Sequence, residues 1–550
     1  MRERTLESGF MKPSQFFGML WVFSGWLLAT GCSSQEKHVT QSSSQIARAQ
    51  LNQVPGWSRT DLDFFLHDSM GTEFVPENML RAFVHIYPDL FPREDLSHFG
   101  LLPDKSFGWP IGFSRSHVTH LGGLSAVGIN CAACHVGEVK SGSDATPVRV
   151  LGMTSHFDAE AFFGAVIIAT FRTAVPTNMQ RFMVACLAAD NPNDEERAQS
   201  LIANLWSRQE QKIIASVLSD PAGSIGINPG ELHQLQKADL EFTKHLIAAD
   251  LDLSARARSF LKLFHNMRAA LHVPDQPPGK APPASGPGRN DAFGLLSAVL
   301  FGVPQPYSPV KYGLVWNLEK RHWVHWDGNT QSPIGRNLLA SLGLGAPLVG
   351  HRGELDLALV KRHTDLSEGI RPTRYPFVIN KKMASRGSVH YQARCASCHD
   401  GPETDARLYA PSEVGTEPQR ALLFSQQQAD RFDKFLAELE IAGYQPPKEP
   451  GIRSTQKYWA ASLAGVWARS PFLHNGSVRT MQELLAAPAS RSKSFHRGSR
   501  AYDENNLGYM DAGSYLFDCA SPGNSNAGHD YGTDLSNTKK AELVEYLKTL

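Results

Sequence analysis

The sequence predicts a mainly α-helical protein, built as two loop-rich helical domains with a helical insertion between them. Three observations predict it. One pentapeptide pattern occurs twice, at Cys131-Ala132-Ala133-Cys134-His135 and at Cys395-Ala396-Ser397-Cys398-His399, far enough apart for one copy per domain. Gly108, Pro110 and Gly112 place irregular chain before the first copy, with His117 and His120 closer to it. Between the copies, apolar residues recur at helical spacing.

Each pentapeptide reads C-x-x-C-H, the attachment signature of c-type haem. The two thiols add to the haem vinyl groups and the His supplies an axial nitrogen to the iron. A redox dithiol needs no following His, and a zinc site pairs its C-x-x-C with a second ligand cluster nearby. The expectation is two covalently bound haem c groups. Cys131, Cys134, Cys395 and Cys398 attach them, and His135 and His399 are the near-side iron ligands. Long loops and a few helices around a porphyrin are the cytochrome c arrangement, which gives each predicted domain its character.

Length and charge bound the rest. The chain has 550 residues, room for two or three domains. Lys plus Arg equals Asp plus Glu at 54 each, so nothing in the charge balance points to nucleic acid. Of seven cysteines, four lie in the pentapeptides. Cys32, Cys186 and Cys519 remain, and the last two suit either a disulfide or two free thiols.

Taken in order, residues 1–31 read as a lipoprotein signal peptide. Phe16 to Thr30 is apolar, follows Arg4 and Lys12, and is short for a membrane span. It ends in Leu28-Ala29-Thr30-Gly31-Cys32, which resembles a bacterial lipobox and implies lipid on Cys32. Residues 32–55 read as a polar tether. No later stretch reaches 18 apolar residues. The expected address is the periplasmic side of a bacterial membrane, the outer membrane in particular, which agrees with haem attachment outside the cytoplasm.

Residues 56–185 form the first haem region, with a short buried helix at Phe162–Ala169. Residues 186–380 form a helical insertion and connecting region. Within it, Pro192 to Leu218 has amphipathic spacing, a second helical stretch runs to about His272, and the prolines of 273–288 mark a strap. Trp316, Trp323 and Trp326 follow, beside His322 and His325; such a cluster suits electron hopping, a substrate pocket or core packing. Residues 381–550 form the second haem domain, with helices near Gln428–Ala442 and Thr480–Leu485. The terminal helix carries a stripe of Leu543, Val544, Leu547 and Leu550.

Several segments carry a family resemblance: Gly286-Pro287-Gly288-Arg289-Asn290-Asp291, Trp326-Asp327-Gly328-Asn329, Leu473-His474-Asn475-Gly476-Ser477-Val478 and Gly528-His529-Asp530-Tyr531-Gly532. With two C-x-x-C-H sites, the chain resembles the bacterial di-haem cytochrome c peroxidase superfamily, and within it the rubber-oxygenase-like branch. The resemblance implies one haem that meets an oxidant and a six-coordinate haem that relays electrons. The lipobox departs from a freely secreted rubber oxygenase.

The far-side ligand of the second haem is expected at His529, with His474 as the alternative. Gly523, Gly528 and Gly532 let backbone near His529 approach a porphyrin closely, and the resemblance, in which a late His serves this haem, points the same way. Two function classes follow. One is an oxidoreductase using peroxide or dioxygen, partnered by an electron-donor or electron-acceptor protein, with Trp316, Trp323 and Trp326 as aromatic candidates. The other is a non-catalytic electron carrier.

Overall fold

Strands frame the first pentapeptide on both sides. Leu124–Ile129 runs into it and Val136–Ser141 leaves it, with only the five-residue helix Cys131–His135 between. The first of these strands is buried along its last four residues, and the second buries Val136, Gly137 and Val139. The computed structural model describes residues 49–118, 121, 124–142, 146–173, 182, 185–186, 285–303, 307–400 and 407–550. Cys32, His120, the predicted helices between Pro192 and His272, and the strap up to residue 284 lie outside the described residues.

Leu124–Ile129 is the centre of a three-stranded antiparallel sheet, flanked by Val75–Pro76 and Phe113–Val118. Val136–Ser141 belongs to a four-stranded sheet. One neighbour is Val148–Leu151, antiparallel; the other is Ala501–Asp503, parallel, which in turn pairs with Gly508–Tyr509. The strand leaving the first pentapeptide is therefore stitched to chain far beyond the second.

This overturns the mainly α expectation. The fold is mixed, with several small sheets among the helices. Helical periodicity registers over ten or more residues, whereas these strands are two to six residues long and their short alternation is hidden among glycines and prolines. The pairing of residues 501–503 with 140–141 also joins the regions that the pentapeptide count had separated.

A shared core lies behind this sheet. It unites Val136, Val139 and Leu151 with Trp316, Trp467, Tyr502, Leu543, Val544 and Leu547. The terminal helix Asn537–Leu547 supplies the last three, which belong to the predicted stripe. It packs on Lys381–Arg394, where Gly387 is required: a Cβ there would lie 1.9 Å from the Glu542 carbonyl oxygen. The buried helix expected at Phe162–Ala169 is part of Ala159–Thr173. Gln50 and Val54 are buried, and Gln53 exchanges two hydrogen bonds with the Leu151 backbone, so chain read as tether packs against the body. Cys186 and Cys519 are both buried, in separate clusters.

Candidate functional site

Two short helices carry the pentapeptides, the first fixed by a side-chain cap and the second by the helix that runs into it. At the first, Asn130 accepts the Ala132 N–H at 2.9 Å and donates to the Asp68 carbonyl at 2.9 Å. Gly112, at φ +88°, lies so close that a Cβ would meet Ala133 backbone at 2.1 Å. At the second, Lys381–Arg394 runs into the motif, with Cys395 N–H donating to Tyr391 O at 2.8 Å. Tyr391 Oη donates to Asp400 just beyond it.

The two histidines are held the same way. His135 Nδ1 donates to the Gly313 carbonyl at 3.1 Å, and His399 Nδ1 to the Ala461 carbonyl at 2.7 Å. A carbonyl can only accept, so in each imidazole Nδ1 bears the proton and Nε2 keeps its lone pair. This is the tautomer and orientation that a metal-ligating His needs. Burial pushes His135 down to about 4 and lowers His399, so both are neutral at pH 7.

The cysteines behave unlike redox dithiols. All four are free. Burial pushes Cys131 up to about 11, Cys134 to about 12 and Cys395 to about 11. Reactive dithiols have their thiolate stabilised instead.

His529 lies against the second pentapeptide, its ring centroid 6.3 Å from that of His399. Two metal–imidazole bonds of about 2 Å each, with the ring radii, account for a separation of about 6 Å. His529 sits at φ +51°, uncommon for a side-chain-bearing residue. Three contacts impose it. Its N–H donates to Val414 O at 2.8 Å, Gly528 packs on Gly415 so that a Cβ would lie 2.2 Å from backbone, and buried Arg491 donates to the carbonyls of Gly528 at 2.7 Å and His529 at 3.2 Å. Burial, then neighbouring His399, pushes the imidazole down to about 4, and its buried Nδ1 has no hydrogen-bond partner among the described residues.

His474 is engaged elsewhere. Its Nε2 pairs with Glu417 at 3.4 Å and its ring stacks on Tyr458 at 4.2 Å. Among the described residues no cluster of three or more His, Cys, Asp or Glu could hold a bare metal ion. A pair of imidazoles beside two thiols suits a haem, which brings four nitrogens of its own. The residues present fit that group.

The first pentapeptide is less symmetric. Among the described residues, no second imidazole is as near His135 as His529 is to His399. The ring facing His135 is Tyr312 at 6.5 Å. His117, expected nearby, is exposed on the strand Phe113–Val118.

Of the tryptophans, Trp316 lies between the two sites. Gly152 donates to the His135 carbonyl at 2.7 Å, and a Cβ on Gly152 would lie 2.5 Å from the Trp316 ring. On the other side, a Cβ on Gly465 would lie 2.1 Å from it, four residues after the Ala461 that holds His399. Trp316 Nε1 donates to Leu151 O at 2.7 Å. Trp323 lies under the Arg453 guanidinium at 3.6 Å, and Trp326 donates to Lys311 O at 2.9 Å. Sequence reasoning missed Gly313, Ala461, Gly415 and Arg491. The first two act through carbonyls that any residue carries; Arg491 beside a glycine-rich loop left no pattern.

Residues 457–496 match the family model described as RoxA-like, cytochrome c-like. This stretch contains Ala461 and Arg491, the partners of His399 and of the His529 loop. Over that stretch the chain is similar to rubber-oxygenase-like cytochromes, which suggests a haem cytochrome with haem c as its cofactor. Over nearly its whole length the chain is similar to the uncharacterized protein y4iJ of Sinorhizobium fredii (strain NBRC 101917 / NGR234), at 26% identity across 90% of this chain and 92% of that protein. It is also similar to the uncharacterized protein y4iM of the same strain, at 29% identity across 50% of this chain and 72% of that one. No helix among the described residues is long and apolar enough to cross a membrane.

Proposed function

We propose that the protein is an exported di-haem c-type cytochrome acting as an oxidoreductase, a member of the di-haem cytochrome c peroxidase superfamily on its rubber-oxygenase-like side. Cys131 and Cys134 would hold a haem whose chemistry suits peroxide or dioxygen, and Cys395 and Cys398 would hold one suited to electron relay. The observation that carries this reading is the inequality of the two pentapeptides: His529 faces His399 at 6.3 Å, while no imidazole of the described residues stands so close to His135.

Bound haem supplies one-electron chemistry and, where an axial position is open, a place for a small oxidant. The chain's own residues do the rest. Gly313 and Ala461 hold the near-side imidazoles in one tautomer, His529 closes the second site, and Trp316 offers an aromatic step between them. An electron-donor or electron-acceptor protein completes the reaction, and lipid on Cys32 holds the molecule on the periplasmic side of the membrane.

The closed second site also suits a non-catalytic carrier. Absorbance spectra of the purified protein with carbon monoxide, dioxygen and hydrogen peroxide separate the two. A response confined to one haem is expected; silence at both haems makes the protein a carrier. Labelled fatty acid should enter the wild type and not Cys32→Ala, and equal labelling of both removes the anchor.

A further inference from the structure

Trp316 has an aromatic neighbour that neither pentapeptide uses. Its ring centroid lies 6.5 Å from that of Trp467, with the ring planes tilted at 50°. Both indoles are closed off from water, Trp467 at 0% exposure and Trp316 at 2%. Trp467 lies in the short 3-10 helix Val466–Arg469, directly after the glycine that lets the chain pass Trp316 so closely. On its other side Trp316 lies against Gly152, whose N–H donates to the His135 carbonyl at 2.7 Å. The pair thus begins beside the first pentapeptide and leads away from it.

Charge separates these two indoles from three other tryptophans. A guanidinium lies over Trp109 at 4.4 Å, over Trp323 at 3.6 Å and over Trp459 at 4.4 Å. A cation on a ring face is attracted to the electrons there, and it repels the positive charge left when one electron is removed. Among the described residues no cation lies over Trp316 or Trp467. Each indole N–H donates instead to a carbonyl, Leu151 O at 2.7 Å and Thr373 O at 3.1 Å. Such bonds strengthen as the donor becomes positive. A carbonyl only accepts hydrogen bonds, so each indole keeps its proton.

The phenols around the pair are the opposite case. Tyr375 and Tyr502 stand 5.9 Å and 6.5 Å from Trp467. A phenol that loses an electron must also shed its proton. Tyr502 Oη donates to the Trp467 carbonyl at 2.7 Å and Tyr375 Oη to the Glu504 carbonyl at 3.4 Å, and neither acceptor is a base. The next ring, Tyr509, is 5.7 Å from Tyr502, and its buried hydroxyl has no hydrogen-bond partner among the described residues. An electron vacancy that enters at Trp316 therefore stops at Trp467.

We propose that Trp316 and Trp467 form a one-electron reservoir for the oxidised haem sites when no reduced donor protein is present. This deepens the oxidoreductase reading and rests on it, with hydrogen peroxide or dioxygen as the oxidant. Trp316 gives one electron to the oxidised site, and Trp467 gives one to Trp316. Trp467 is left as a radical cation with its N–H intact; no bond forms or breaks and no proton moves. An electron from the donor protein later refills Trp467 through Trp316, so both residues end unchanged. The reservoir spares neighbouring side chains from an oxidised site that has no donor.

The test uses the full haem-loaded chain with the donor protein withheld. Protein is made with ring-deuterated tryptophan or ring-deuterated tyrosine. The oxidised form is mixed with hydrogen peroxide, or the reduced form with dioxygen, and frozen for electron paramagnetic resonance while haem absorbance is followed in parallel. Wild type should show an organic radical whose signal narrows with deuterated tryptophan and keeps its width with deuterated tyrosine. Trp467→Phe and Trp316→Phe should each lose that signal, and Tyr502→Phe should keep it. The labelled wild type, which carries no substitution, tests the identity of the radical whatever a variant does to the fold. A radical narrowed by deuterated tyrosine alone overturns the inference, and so does a tryptophan radical that survives Trp467→Phe. Haems that respond to an oxidant in a wild type without any organic radical overturn this inference alone. Haems that respond to neither oxidant overturn the oxidoreductase reading beneath it.

Discussion

His399 and His529 face each other with ring centroids 6.3 Å apart, although 130 residues of sequence separate them. His399 is aimed by the Ala461 carbonyl and His529 by the Arg491-held glycine loop. If both bind one iron, His529→Ala turns a low-spin haem high-spin, as electronic absorption and electron paramagnetic resonance will show. His474→Ala leaves the spin state alone, because its imidazole is spent on Glu417 and Tyr458. A low-spin signal that survives His529→Ala removes His529 from the iron.

Haem stoichiometry tests the pentapeptides one at a time. Thioether bonds survive unfolding, so denatured wild type should carry two haems per chain. Cys131→Ala with Cys134→Ala should leave one, and Cys395→Ala with Cys398→Ala should leave the other. Two haems retained in either double variant would refute the corresponding assignment.

Trp316 combines packing with position. Trp316→Phe loses the bond to Leu151 O and leaves a void between Gly152 and Gly465. The cost is about 2 kcal/mol, read as a lower denaturant midpoint. Electron equilibration between the two haems, followed after flash photolysis of carbon monoxide, should slow as well. An unchanged rate in a folded variant assigns Trp316 to the core alone.

Acid sensitivity follows from His363. It is fully buried, its Nε2 meets the Asp68 carbonyl at 3.0 Å, and burial pushes it down to about 4. In the unfolded chain a His titrates near 6.5. The folded pKa is the lower one, so this contribution to stability is whole above pH ~6.5 and is lost progressively between there and pH 4 as the unfolded chain takes the proton. At pH 5 the loss is about 2 kcal/mol. In His363→Gln the denaturant midpoint should fall less between pH 7 and pH 5 than in wild type; equal falls would place the acid sensitivity at other histidines.

What the sequence made legible was what is covalent or periodic. The pentapeptides stand out because thioether chemistry fixes residue type and spacing together. The terminal stripe stands out because helical period repeats. The expectation at His529 comes from neighbouring glycines and the family resemblance, and the structure places its ring 6.3 Å from that of His399. The strands were missed because six residues of alternation carry little signal, and Tyr502 pairs with Ser141 across more than half the chain. The carbonyls of Gly313 and Ala461 were illegible in principle, because every residue carries that group and only the fold selects which is used.

The parallel pairing of Ala501–Asp503 with the strand leaving Cys131–His135 sets an order of assembly in time. Until residue 503 has been made and delivered, Val136–Ser141 has one bare edge, a template for mispairing. Contacts of such long range also form slowly. A chain cut short before residue 500 would keep that edge of Val136–Ser141 unpaired beside the first pentapeptide.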